Sequence, residues 1–443
     1  MSHLCQTVSA LIERVRTAPE STARLRQPLA AQSDVSGVDW LDAQTLYPKL
    51  YWQSRDGQEE VVALGQHAVY SDPQPACALL QDEQRVWGCR AFDAEENRSD
   101  PTLCSYFFLP CIELIREGDT WSLAVNLHGG KASVIAKLRQ LVTKKSVLPA
   151  ISGAETAAPI VSVRHTPNHT HWHKLVGDVL AGIQAGQFDK VVLARKSTVA
   201  INSAISAAQL LSASRQANAH SFHFMLALDE QRGFVGSSPE RLYQRDGASL
   251  QTEALAGTIG RGRTPAQDRQ WARWLSLDAK NRQENQYVVD DITDRLAPYV
   301  DNLDVEESPA LLQLRQVQHL KRHIRARLKP GVCGVNLLHA LQPTAAVAGL
   351  PRSSAMQFIR QHEPFDRGWY AGSLGYVSRE KAEFCVAIRS AYIMQDQLQL
   401  FAGAGIVAGS EAGSEWQELD RKMSTLLALI QDFAATTHVS EVA

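Results

Sequence analysis

The β-type runs of this chain come in series, and its two longest helical patterns stand far apart among them. Strand candidates fall at 190–199, 222–228, 383–393 and 397–402, while helical periodicity dominates 270–297 and 414–433. A parallel βαβ fold needs one crossover helix per strand pair, and this order does not supply them. The spacing predicts an α+β body. Residues 1–145 add more short strands: "LYPKLYWQSRDGQEEVVALG" reads as a hairpin around Asp56-Gly57, and "RVWGCRAFD" and "YFFLPCIELIREGDTWSLAVNL" continue the β character. The stretch 148–170, rich in Ala, Pro, Ser and Gly at its start, reads as a linker, giving an N-terminal α+β region over 1–160 and a second region over 165–435. Leu4, Val8, Leu11, Ile12 and Val15 recur at helical spacing between charged residues, which predicts an amphipathic surface helix and no signal peptide.

Charge narrows the function classes. Lys and Arg number 45 against 47 Asp and Glu, a net charge of −2, so no basic field points to nucleic acid or an anionic membrane. Seven scattered cysteines with no C-x-x-C pair predict reduced thiols in a cytoplasmic protein. His165, His169, His171 and His173 lie close together, but lack a partner set of recognisable metal-ligand spacing.

Several charged residues stand where burial is expected. Lys190 opens "KVVLA", a short strand that reads as fully buried. Such a lysine either snorkels from a strand end or points its amine into a site as a base. Glu240, in "GSSPERL", is either a carboxylate near a helix start or an acid held by a tight turn. Glu284 lies one turn before Val288, Ile292 and Leu296, on the same face. Glu415, Glu418 and Lys422 run along the edge of the stripe Trp416, Leu419, Met423, Leu426, Leu427 and Ile430, with Ser414 and Gln417 placed as a capping box. Core-facing carboxylates need partners, because burying a lone charge is very costly. A salt bridge would serve, and so would Mg²⁺, and the sequence leaves both open. Arg389 ends a run with small residues on one face, suited to gripping a carboxylate, and "FAGAGIV" and "LAGT" bring backbone N–H groups where an anion could approach.

These residues sit in an ordered series of motifs: "FDKVVLARK", "GSSPERL", "TEALAGT", "KNRQEN", "VQHL", "LQPTAAVAGLP", "WYAGSLGY", "AIRSA", "FAGAGIV" and "EWQELDRK". Through them the chain resembles the chorismate-utilising enzymes, and its N-terminal region resembles that of the menaquinone-pathway isochorismate synthases. The resemblance implies a two-layer α/β sandwich with large, mainly antiparallel sheets around a central active site, and a Mg²⁺-dependent conversion of chorismate. It implies Lys190 as the base that activates water for attack on ring C2, and Glu240 as the acid that protonates the departing C4 hydroxyl. By the same resemblance Glu284 and Glu418 hold Mg²⁺, while Gly257 and Thr258 bind the ring carboxylate. Tyr376, Arg389, Gly403, Gly405 and Lys422 would receive the enolpyruvyl carboxylate, with His319 lining the pocket.

Three positions separate the branches of the family. Anthranilate synthases typically carry Gln where this chain has Lys190, and enteric-type aminodeoxychorismate synthases place a nucleophilic Lys where it has Ala256. Salicylate synthases share the lysine but usually have Thr at the position of Ala346. The resemblance therefore implies water as nucleophile and isochorismate as product, and no glutamine amidotransferase subunit. A salicylate synthase or a siderophore-pathway isochorismate synthase is the alternative within enzymes. An inactive chorismate-binding scaffold is the alternative outside them, and the intact Lys190, Glu240, Glu284 and Glu418 argue against it.

Overall fold

The computed structural model of the protein describes residues 3–30, 35–81, 83–94, 104–143, 160–202, 205–394 and 397–435. Its strands join through pairing into one 20-stranded network, and the pairings among the described residues run antiparallel. The expected α+β class and mainly antiparallel sheet are both present.

Strands from the two sequence regions pair directly. Lys49–Gln53 lies between Glu59–Tyr70 and Phe222–Ala227, and Val86–Arg90 pairs with Ser373–Val377. Trp52 and Trp87, both fully buried, pack with ring centroids 6.2 Å apart, and Trp52 meets Phe222 at 5.2 Å. Aromatic rings of this size dominate the energetics of such a seam. The expected hairpin at Asp56-Gly57 forms, with Gly57 at φ +72°, a conformation that favours glycine. The sequence boundary near 160 abuts residues 144–159, which lie outside the described residues.

Four local expectations change. The stretch read as a linker holds a strand, Ile160–Thr166, paired to Lys190–Ile201, and a helix, His169–Gln184, follows at once. The helical pattern over 270–297 is two helices, Pro265–Leu277 and Ala279–Leu296. Asp278 divides them: its backbone is extended, and its carboxylate caps the second helix by accepting from the Asn281 N–H. Ser414 is no N-cap, because its helix, Ala412–Ala435, starts two residues earlier; its hydroxyl bonds Glu411 instead. The run 383–393 is two strands, Lys381–Val386 and Ser390–Met394, and Arg389 between them has φ +53°.

The break at Asp278 sets the direction of the Ala279–Leu296 helix over the sheet. Val288, Ile292 and Leu296 are buried as the spacing predicts, each worth about 1.5–3 kcal/mol in apolar burial. That packing fixes Glu284, one turn earlier, over the strands that carry Lys190 and Gly405.

Candidate active site

A cavity of ≈ 750 Å³, its open mouth included, lies between the sheet and the helices Ala279–Leu296 and Ala412–Ala435. Gly405 and Glu284 line it; Lys190 does not line it itself but lies immediately behind them. The Lys190 side chain is only 1% exposed, and its Nζ donates to Glu284 Oε1 at 3.0 Å. The lysine is therefore no snorkelling strand end. Gly405 pairs with Val192, and a Cβ at 405 would fall 2.9 Å from Lys190 Cε and 2.9 Å from Glu284 Oε1. The missing side chain leaves the lysine its way to the cavity.

Glu240 lies on the turn between the strands Arg232–Ser238 and Arg241–Asp246, where Pro239 interrupts pairing. It lines the cavity and is itself buried. Burial pushes its pKa up to about 8, the charge of Glu253 adds to the rise, and Lys190, Lys422 and Arg55 oppose it. The carboxyl therefore keeps its proton at neutral pH.

A third group faces these two. Lys422 bridges Glu418, one helical turn away at 2.6 Å, and the Gly403 carbonyl at 2.8 Å. Arg389 reaches the cavity from its left-handed backbone, with Nη1 3.4 Å from the Lys422 carbonyl oxygen. Thr258 and His319 are register partners on adjacent strands, and Thr258 Oγ1 and His319 Nδ1 are 2.9 Å apart. Burial, then the charges of Arg389 and Lys422, hold His319 well below its ordinary pKa, so the ring is neutral. The strand pairing is irregular between Leu255 and Thr258, with Gly257 at φ +85°, and this irregularity turns Leu255, Ala256 and Thr258 toward the cavity. The Thr258 N–H donates to Asn281 Oδ1 at 3.0 Å.

Most of the residues singled out by sequence meet here: Glu240, Thr258, Glu284, His319 and Ala346, together with Arg389, Gly403, Gly405, Glu418 and Lys422, line one cavity. Gly257 lies just behind the wall. Tyr376 is a correction. Its ring packs on Trp87 at 4.8 Å and under the Arg85 guanidinium at 4.6 Å, and it does not line the cavity. Tyr370, six residues earlier in the same motif, lines it instead, and a Cβ at Gly403 would sit 3.0 Å from the Tyr370 hydroxyl. Sequence reasoning also missed Val192 and Phe401, which give the cavity an apolar side. The four histidines near the former linker stand apart from this site: His165 Nδ1 and Ser197 Oγ are 2.7 Å apart, and the His169 ring lies 5.1 Å from that of Trp416. Among the described residues no cluster of three or more His, Cys, Asp or Glu is arranged to hold a metal.

The family described as chorismate binding enzyme matches residues 77–431 of this chain. The chain belongs to that family. Among curated relatives, isochorismate synthase MenF of Escherichia coli (strain K12) is 40% identical over 424 residues, covering 91% of this chain and 93% of the relative. The protein of the same name from Haemophilus influenzae is 36% identical over 437 residues, 98% of each. The solved structure of the menaquinone-specific isochorismate synthase from Escherichia coli superposes with a TM-score of 0.87 at 37% identity, covering 97% of this chain and all of that one. The family match spans every residue that lines the cavity.

Proposed function

We propose that the protein is an isochorismate synthase that converts chorismate reversibly to isochorismate and supplies menaquinone biosynthesis. The observation that carries this reading is an amine and a buried carboxyl group at one cavity: Lys190 behind Gly405, and Glu240, whose pKa burial pushes up to about 8. Water is a poor nucleophile and hydroxide a poor leaving group, so the exchange of a ring hydroxyl needs a base and an acid together. Lys190 accepts a proton from water as its oxygen bonds to C2. Glu240 gives its proton to the C4 oxygen as that C–O bond breaks and the ring double bonds shift. Arg389 and Lys422 supply the positive charge for the enolpyruvyl carboxylate, with the Tyr370 hydroxyl beside them. The Thr258 hydroxyl and the neutral His319 ring face the ring carboxylate. Ala346 keeps its part of the wall free of a hydroxyl, as expected where water is the nucleophile.

The donor set fits Mg²⁺. Glu284 and Glu418 bring carboxylates to one cavity from two helices. Glu415, one turn before Glu418, is held above the usual carboxylate range by burial first and then by the charge of Glu418, with Glu284 adding to it. Each of the two is ion-paired in this structure, Glu284 with Lys190 and Glu418 with Lys422, and Mg²⁺ commonly takes only one or two carboxylates beside water and substrate oxygens. Bound there, the ion would stabilise negative charge that develops through the conjugated ring carboxylate.

Two variants test the roles. Lys190→Ala and Glu240→Gln should each lose turnover by ~10²–10⁴-fold, with circular dichroism and melting close to the parent. Near-parental turnover by either folded variant would remove the role given to that residue.

A further inference from the structure

The turn that carries Glu240 is held by contacts that the proton transfers do not use. Arg55 lies in the loop between the strands Lys49–Gln53 and Glu59–Tyr70, far from Glu240 in sequence. Its Nη1 donates to the Pro239 carbonyl at 2.8 Å and to Glu253 Oε1, and its Nη2 donates to Glu253 Oε2 at 2.9 Å. Glu253 Oε1 also accepts the Arg241 backbone N–H at 2.9 Å, and Lys321 Nζ lies 3.0 Å from Oε2. The residues before and after Glu240 are thus tied to one guanidinium–carboxylate pair. The Arg241 side chain is tied in turn to Glu383 at 2.9 Å. The guanidinium groups of Arg55 and Arg241 lie 5.5 and 5.6 Å from the ring of Phe222.

We propose that Arg55 and Glu253 are positioning residues for Glu240, and that the N-terminal hairpin thereby completes the acid side of the site. This rests on the reading of Glu240 as the acid. A bidentate pair of this kind fixes orientation as well as distance. Lysine in place of Arg55 could not hold Pro239 and both Glu253 oxygens at once. The Glu253 side chain is 1% exposed, and its two cations offset the cost of burying its charge. The charged groups that act on Glu240 most strongly are Glu253 from Ser249–Gly260, Lys190 from Lys190–Ile201, Lys422 from Ala412–Ala435, and Arg55 from the hairpin loop. Glu253 is the one among them of like sign, so its charge also favours the protonated acid.

A merely structural ion pair would change melting and leave the chemistry alone, so the test reads the chemistry. Glu253→Gln keeps an acceptor for the Arg241 N–H but removes the charge and leaves Arg55 and Lys321 without their carboxylate. Glu240 should then lose its proton more readily, and the alkaline limb of kcat/KM should move down by about one pH unit. Arg55→Lys keeps the charge and loses the fork, and kcat should fall about tenfold with KM little changed. Parental kcat and a parental alkaline limb in both folded variants would overturn the inference. If Glu253→Gln does not fold, Arg55→Lys decides alone by the same kcat criterion. Glu240→Gln serves as control. Turnover in that variant would remove the acid role and this inference together, whereas its inactivity beside parental Arg55→Lys and Glu253→Gln would overturn the inference alone.

Discussion

Gly405→Ala should impair turnover while leaving the fold nearly intact. The added Cβ would fall 2.9 Å from both Glu284 Oε1 and Lys190 Cε, and 3.4 Å from Lys190 Nζ. Ordinary contacts begin near ~3.5 Å, so each side chain must retreat by about half an ångström. Both are ends of flexible chains, and Gly405 does not have a positive φ, so the backbone of the strand Gln397–Ile406 need not move. Overpacking costs up to about 1–3 kcal/mol, and Gly→Ala at a compatible position returns about 0.4–1 kcal/mol through the unfolded chain. The net effect on stability should be small. The chemistry has no such tolerance. Misplacing a reacting group by an ångström costs about 10²-fold, so half of that should lower kcat on the order of tenfold. Initial rates of isochorismate formation by chromatography, beside a melting curve, separate the two effects. Parental kcat in a folded Gly405→Ala protein would refute the argument that Lys190 works through the space above that glycine.

Three further outcomes follow from the site. Because Glu240 must carry its proton to act as acid, kcat/KM should fall as pH rises through about 8; a profile that stays flat through that region would contradict the assignment. Chelation by EDTA should abolish turnover and excess Mg²⁺ should restore it, and Glu284→Gln should raise the Mg²⁺ required more than it lowers the melting temperature; full activity in chelator would remove the metal from the account. Ala346→Thr should slow isochorismate formation, because a β-branched hydroxyl would enter the cavity wall beside the substrate; an unchanged rate would show that the position does not set the branch.

Much of the site was legible because each motif is local. Lys190 at the mouth of an apolar run and Glu284 on the register of Val288 and Ile292 stand out from periodicity, but that pattern leaves Lys190 either snorkelling or turned inward, and the structure buries it against Glu284. The errors arise where one residue breaks a pattern. Asp278 fits helical spacing on either side, yet its carboxylate is worth more as a cap than its backbone is as a helical turn. Arg389 looks like the end of an alternating strand, but the chain breaks there and a positive φ turns the guanidinium toward the cavity. The motif "WYAGSLGY" contains two tyrosines, and sequence cannot say which faces the substrate. The left-handed Ala371 at φ +59° separates Tyr370 from the strand that carries Tyr376 toward Trp87. Arg55 and Glu253 were invisible for a different reason: their pairing spans 198 residues, and no local pattern marks it.

In the proposed reaction, water activated at Lys190 attacks C2 of chorismate as the C4 hydroxyl departs. The most direct measurement is product analysis: purified protein with chorismate, Mg²⁺ and an ammonium salt at neutral pH, separated by chromatography. Ammonia needs no base to attack, whereas water does, so a site built around a lysine base should favour water. Isochorismate is the expected product, with little aminated compound. Dominant 2-amino-2-deoxyisochorismate or anthranilate, or salicylate with pyruvate, would contradict it.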